Sequence, residues 1–280
     1  MPLRPIGYDV KEEVGAILSE CAKSNDSTGA AKEASWAEVL THKKAMIIGC
    51  GLMFFQAMTG INSVIFYSTT IFGFAGFDQA ILATASVGVI NFIMSIASTY
   101  LIDKQGRKVL LLIGTYTMLF ALLILSIVLL SADDNAKAQG VIAVIAVLIF
   151  VSGFSLGLGA VTWVVISEIM PTRLRTKAVS LFLSINWGCN LVIGLVTLSA
   201  IDYLGGVQDD MSDDAYNLAS KHGVAYLYLF FAVCTFLCVA FMHIFVPETK
   251  NITMEELMGA HKAVYSPIIE PLLSVQEQEF

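Results

Sequence analysis

The stretch Phe55-Gln-Ala-Met-Thr-Gly-Ile-Asn-Ser-Val-Ile-Phe-Tyr-Ser68 decides how the rest of the chain is read. It lies inside an apolar run, Ala45 to Phe72, long enough to cross a bilayer, which takes about 20 residues. Yet Gln56, Thr59, Asn62 and Ser63 fall near its middle, beside Gly60. Polar side chains at that depth cost on the order of 1–3 kcal/mol each when uncompensated, so they face a cavity or another helix. On an unbroken helix Gln56 and Asn62 would point about 120° apart. Unwinding at Gly60-Ile61 would let both turn to one side, as in carriers built on discontinuous helices. Taken alone, the stretch fits a small-and-polar helix packing face equally well.

Composition settles the setting. The 280 residues are 56% hydrophobic and 14% charged, with a mean hydropathy of +0.75, where soluble domains carry about 25% charge. This is the profile of an integral, all-α membrane protein. Residues 1–44 are polar, with Val10, Val14, Ile17, Leu18 and Cys21 at the spacing of a short amphipathic helix. Ser35-Trp-Ala-Glu38 has the form of a capping box that opens a second. Apolar segments follow at about 45–72, 80–102, 108–130, 140–167, 177–201 and 224–246, and residues 247–280 form a polar tail in which Thr253-Met-Glu-Glu256 is another capping box. The first residues lack the apolar stretch of a signal peptide.

An even number of spans puts both ends of the chain on one side. That side carries Lys43, Lys44, Lys104, Arg107, Lys108, Arg173, Arg175, Lys177 and Lys250. The other has Lys137 and Lys221 near the membrane, against Asp78, Asp133, Asp134, Asp202, Asp209, Asp210, Asp213 and Asp214. Basic loops stay in the cytosol, so both termini are expected there. The glycosylation matches at Asn25 and Asn251 then lie on the wrong side and carry no weight.

Polar residues recur in the segments at helical period. Thr84, Gly88, Asn91, Ser95 and Ser98 line one face of the second; Ser155, Gly159 and Thr162, with Trp163 adjoining, line the fourth. Ser180, Ser184, Trp187, Asn190 and Gly194 form a broader stripe on the fifth. The third and sixth are aliphatic and aromatic in their middles, which suits lipid contact and a peripheral place. Interhelical packing explains single serines, whereas four coordinated stripes favour a bundle around an aqueous cavity.

The lining is neutral: amides, hydroxyls and indoles, with no acid or base deep in any span. An ion channel needs charged rings or a carbonyl filter. Amides both donate and accept, which suits an uncharged polyhydroxylated ligand. Gln56, Asn62 and Asn91 could bond its hydroxyls while Trp163 and Trp187 stack on a sugar face, although packing or an interfacial position is the ordinary use of a membrane tryptophan. No enzymatic reading emerges, because His42, His222, His243 and His261 lie near segment ends or in tails. The five cysteines show no metal spacing, no cofactor is implied, and no basic patch suggests nucleic acid.

Four motifs in order then bear a resemblance. Gln56…Thr59-Gly-Ile-Asn62…Phe66-Tyr-Ser68 resembles the seventh-helix signature of the sugar porters of the major facilitator superfamily. Asp103-Lys-Gln-Gly-Arg-Lys108 is similar to that family's loop after helix eight, Ser167-Glu168 through Pro171 and Arg175 to its helix 10–11 turn, and Pro247-Glu-Thr-Lys250 to its ending, with Asn251 in place of a glycine. The resemblance implies helices 7–12, the C-terminal half of a twelve-helix fold, preceded by part of an intracellular domain. It also implies sugar-binding groups at Gln56, Asn62, Asn91, Trp163 and Asn186, with Trp187 near the cavity. Phe66 and Tyr67 would belong to an outer gate, with Gly60 and, in the tenth helix, Gly157 and Gly159 providing the bends. Asp103, Arg107, Glu168 and Arg175 would form a cytosolic charge network.

Departures from the pattern are Ala57 where many members have a second glutamine, and Ser155 where others have an acid. The family's proline-rich tenth helix is here Gly157-Leu-Gly-Ala-Val-Thr-Trp163. The largest departure is the absence of an N-terminal half, which leaves an expected need for a six-helix partner or a second copy. The resulting expectation is a facilitative or proton-coupled carrier of a neutral, hexose-like monosaccharide, in the plasma membrane by default. A non-transporting sugar sensor is the alternative, and the short tail after Lys250 speaks against it.

Overall fold

The computed structural model describes residues 35–65, 80–131, 136–208 and 211–247. Phe66, Tyr67, the amphipathic helix over Val10–Cys21, residues 248–250 of the ending motif and the Thr253–Glu256 box lie outside the described residues. Among the described residues all regular structure is helical. Six helices are long and apolar enough to cross a membrane: Lys43–Ile65, Thr84–Gln105, Arg107–Leu130, Ala138–Glu168, Thr172–Gly205 and Ala215–Phe245.

A short helix, α1 (Trp36–Thr41), leads into the bundle. Ser35 holds the N-cap position with extended backbone, but its side chain makes no cap bond, so the capping box expected there does not form. The reason is competition: the Glu38 carboxylate pairs with Arg173 rather than folding back, and a charge-assisted bond to a guanidinium outweighs one to a backbone N–H.

The first span starts as α2 (Lys43–Met58) and breaks where the sequence places its glycine. Gly60 adopts φ +79°, its N–H donates to Ala57 O at 3.1 Å, and helical bonding resumes as Val64 N–H donates to Gly60 O at 3.0 Å. The next two helices, α3 (Ala80–Gln105) and α4 (Arg107–Leu130), are joined by Gly106 alone. Its φ of +93° reverses the chain within one residue, a conformation that only glycine reaches cheaply. Then α5 (Ala136–Phe154) passes through a π-helical turn, Ser155–Gly159, into α6 (Val161–Glu168). The long α7 (Thr172–Gly205) closes with left-handed Gly206 and the bonds Gly206 N–H to Tyr203 O and Val207 N–H to Asp202 O, a Schellman ending. The last helix is α8 (Asp213–Phe245).

At the centre α8 packs on α4, α7 and α2, while α5 packs on α4 and α3. Close approach is bought with glycine. A Cβ on Gly114 would meet Gly153 O at 2.5 Å, and one on Gly223 would meet Ile201 O at 2.0 Å. Such small-residue contacts drive helix association in lipid, where apolar side chains gain nothing from leaving the solvent. The aliphatic third and sixth spans are therefore two-faced rather than merely peripheral. Leu111, Met118, Leu122 and Leu125 of α4 are buried with Tyr228, Phe231, Cys238 and Met242 of α8, and Phe120, Ile127, Phe230 and Phe236 stay exposed. The least covered spans are α3 and α7.

Candidate functional site

Three amides meet where the broken first span, the π-turn and α7 come together. Gln56 Nε2 donates to Leu158 O at 2.7 Å. Its Oε1 accepts from Asn186 Nδ2 at 3.0 Å, and the same Asn186 nitrogen donates to Met53 O at 2.9 Å. Asn190 Nδ2 then donates to Asn186 Oδ1 at 3.0 Å. All three side chains are buried, and Asn190 Oδ1 has no partner among the described residues. The relay thus runs from the π-turn through α2 to α7 and ends on a bare acceptor.

The helical spacing on α7 explains the assembly. Asn186 and Asn190 are four residues apart and share a face, and that face is the one packed on α2. Thr197, two turns beyond Asn190, repeats the tie on the far side of the break, with Thr197 Oγ1 donating to Ser63 Oγ at 3.2 Å. Thr59 Oγ1 bonds Gln56 O at 2.8 Å and so satisfies a carbonyl at the helix end. The break needs its glycine twice over: φ is positive, and a Cβ there would lie 2.3 Å from the Phe231 ring.

Of the residues singled out from sequence, the structure joins Gln56 to Asn186 directly. Asn62, just past the break, and Asn91 on α3 are half-buried. Trp163 is 43% and Trp187 64% exposed, so both indoles stand on the surface of this half rather than in its core. Asn190 belongs to a polar stripe in the sequence but to no predicted site; its i+4 relation to Asn186 is the signal that could have found it. At the two departures, Ala57 is buried and Ser155 turns its Oγ back to Val151 O at 2.8 Å. Neither offers a charge.

The π-turn is held by its neighbours. Ser98 Oγ of α3 donates to Leu156 O at 2.9 Å, two residues before the carbonyl that Gln56 holds. Gly157 lies against α4, where a Cβ would meet Gly114 Cα at 3.0 Å. Gly159 is packed on Phe154.

The basic end of the bundle carries the charge pairs. Arg107 Nη2 meets Glu168 Oε1 at 3.0 Å and ties the start of α4 to the end of α6. Asp103 is exposed and Arg175 half-buried, and neither is ion-paired among the described residues. Instead Arg173 takes Glu38, and Lys177 Nζ stands 5.7 Å from the centre of the Trp36 ring. These two contacts fasten α1 to α7, and nothing in the sequence alone announces them.

Six membrane-length helices arranged this way form the C-terminal half of a major facilitator superfamily fold. A proton:xylose symporter structure, that of XylE bound to 6-bromo-6-deoxy-D-glucose, superposes with a TM-score of 0.68 at 27% identity, covering 89% of this chain and 48% of that one. Residues 7–260 match the family described as sugar (and other) transporter. The chain belongs to that family and is a multi-pass integral membrane protein. Among curated relatives it is 32% identical over 260 residues to the facilitated trehalose transporter Tret1 of Drosophila pseudoobscura pseudoobscura, covering 91% of this chain and 28% of that one. It is 34% identical over 251 residues to plastidic glucose transporter 4 of Arabidopsis thaliana, covering 88% and 42%. The chain therefore spans less than half the length of these relatives.

Proposed function

We propose that this chain supplies the substrate-holding half of a carrier that moves a neutral, hexose-like monosaccharide across a membrane by alternating access. The observation that carries the reading is the relay Gln56–Asn186–Asn190 beside the Gly60 break. It presents uncharged donors and acceptors at a discontinuous helix, the arrangement that suits a hydroxylated ligand without charge. Relatives named for trehalose, glucose and xylose support a sugar as the ligand. Asn62 and Asn91 join the relay in binding, and Trp163 and Trp187 supply stacking surfaces. Gly60, Gly157 and Gly159, with Phe66 and Tyr67, serve the gate.

In this reading the weakly covered α3 and α7 meet an N-terminal six-helix half or a second copy. Both termini face the cytosol, the membrane is the plasma membrane, and the cytosolic network is built on the Arg107–Glu168 pair, which Asp103 and Arg175 join when the other half is docked. No Asp or Glu is fully buried among the described residues.

The test is counterflow of labelled D-glucose in proteoliposomes, with the chain alone and with the N-terminal half of a relative. Saturable, stereoselective exchange in either preparation, with a raised half-saturation concentration in Gln56→Ala, is the expected result. Absence of exchange in both from folded protein, or wild-type affinity in Gln56→Ala, refutes the proposal. Impermeant labelling of cysteines placed before residue 43 and after residue 250 checks the orientation.

A further inference from the structure

Polar side chains on the outside of a membrane span are costly unless they reach the interface or meet a partner. At the basic end of the bundle α4 and α8 share such a cluster. Lys108, in the first turn of α4, donates from Nζ to His243 O at 3.2 Å. That carbonyl lies in the last turn of α8, where helical carbonyls lack a partner within the helix and a cation suits the dipole. Tyr116, two turns further along α4, meets His243 Nε2 with its hydroxyl at 3.0 Å, its ring edge-on to the imidazole. Helical side chains lean toward their own N-terminus, so Tyr116 sends its hydroxyl back toward Lys108. Tyr116 and His243 are exposed on the bundle surface.

The Tyr116–His243 pair always has a donor to give. If the phenol donates to Nε2, the proton of the neutral imidazole sits on Nδ1; if Nε2–H donates, the phenol keeps its own O–H. A neutral donor beside the charge of Lys108 is the chemistry that recognises a phosphate. Around it, Lys104, Arg107 and Lys108 outnumber Asp103 at the α3–α4 turn, and Glu168 is paired with Arg107.

An apolar wall continues from the cluster along both spans. Ile113 and Phe120 flank Tyr116 at helical spacing on α4, Phe236 precedes His243 by two turns on α8, and all three are exposed. With α3 and α7 given to the other half, this side of α4 and α8 faces lipid. A soluble phosphate would meet the polar cluster alone, whereas a phospholipid covers both cluster and wall.

We propose that Lys108, Tyr116 and His243 bind the headgroup phosphate of an anionic phospholipid whose acyl chains lie along Ile113, Phe120 and Phe236. Basic pockets between membrane helices are suited to such headgroups. A zwitterionic lipid brings its own cation beside the phosphate, so Lys108 selects headgroups that lack one. The inference rests on the membrane placement of α4 and α8 and requires no sugar contact.

The full chain is purified in detergent, stripped of lipid, and titrated with phosphatidylglycerol or phosphatidylcholine of identical acyl chains, with bound lipid counted by native mass spectrometry. Wild type is expected to retain phosphatidylglycerol in preference. Lys108→Gln should weaken phosphatidylglycerol binding roughly fivefold and leave phosphatidylcholine unchanged. Tyr116→Phe, which keeps the ring, should weaken it by up to about fivefold. Lys104→Gln removes the same charge from the neighbouring turn and should do much less. Equal retention of the two lipids by wild type overturns the site, and so do equal losses in Lys104→Gln and Lys108→Gln, which would mean diffuse attraction. Should Lys108→Gln not fold, Tyr116→Phe decides, and an unchanged preference in that variant refutes the proposal. Displacement of phosphatidylglycerol by glycerol 3-phosphate at matched concentration would make this a site for soluble phosphates and refute the lipid assignment. None of these readouts depends on sugar binding, so failure here leaves the proposed transport untouched.

Discussion

Placing a methyl group on Gly60 tests the break on which the site is built. The backbone there has φ +79°, and the new Cβ would lie 2.3, 2.5 and 2.6 Å from three atoms of the Phe231 ring. Two separate costs follow. The left-handed conformation costs an L-residue with a Cβ roughly 1–2 kcal/mol. Overpacking against a ring that is 2% exposed, with no open side to retreat to, adds about 1–3 kcal/mol. Gly60→Ala should therefore destabilise the fold by ~2–5 kcal/mol, measured by reversible detergent-driven unfolding. A double-mutant cycle with Phe231→Ala separates the terms. Phe231→Ala alone costs about 3–5 kcal/mol through its cavity, but combined with Gly60→Ala it removes the clash, and the added methyl fills part of the void. The double mutant should then be less damaged than the sum by ~1–3 kcal/mol, with the conformational ~1–2 kcal/mol remaining. Additivity within about 0.5 kcal/mol would show that the ring does not sit on the glycine. A single-mutant cost below about 1 kcal/mol would show that the backbone is not left-handed there.

Asn186→Ala removes the partners of Met53 O, Gln56 Oε1 and Asn190 Nδ2 at once. At about 0.6 kcal/mol per bond in a membrane interior this is ~2 kcal/mol of stability, against about a third of that for Asn190→Ala, and equal losses in the same unfolding assay would refute the relay. Gly223→Ala, whose Cβ would meet Ile201 O at 2.0 Å, should be strongly destabilising, whereas Gly188→Ala, with nothing within 4 Å, should be neutral or slightly favourable. Similar unfolding energies for the two would contradict the α7–α8 contact. A double-mutant cycle on Arg107 and Glu168, whose side chains are 18% and 32% exposed, should give up to about 1 kcal/mol of coupling, reduced in high salt. A salt-independent zero would remove that pair from the charge network.

Hydropathy is enough to find six spans, because a bilayer imposes length and apolarity on every segment alone. The break at Gly60 is only half legible: a glycine among mid-depth polar residues fits a packing face as well as an unwound turn, and the φ of +79° decides for the turn. What the sequence hides depends on who packs where. Ser35 and Glu38 have the spacing of a capping box, but only the fold reveals that Arg173 stands within reach of Glu38. Gly157 reads as a bend, yet it is a tight contact with Gly114. The π-turn leaves no mark of its own, since its stabilising donors, Gln56 and Ser98, lie in other helices. Asn190 is visible as polar and invisible as a partner until α7 is laid against α2.

Counting hydrogen-bond valences constrains how the proposed site can hold a sugar. Asn186 donates both amide hydrogens, to Met53 O and Gln56 Oε1, and its oxygen already accepts from Asn190. It can therefore offer a sugar hydroxyl only the second lone pair of that oxygen without dismantling the relay. Gln56 has one further amide hydrogen, and Asn190 has a hydrogen and an oxygen uncommitted among the described residues. The half-buried Asn62 and Asn91 stand nearer the surface of this half. On the proposed reading Asn186 thus acts chiefly by orienting its neighbours, although the family resemblance makes it a contact in its own right. Its replacement should weaken all sugars alike by disordering Gln56, whereas replacing Gln56 or Asn190 should discriminate between deoxy sugars that lack one hydroxyl or another, because an unmet buried group is what separates close analogues.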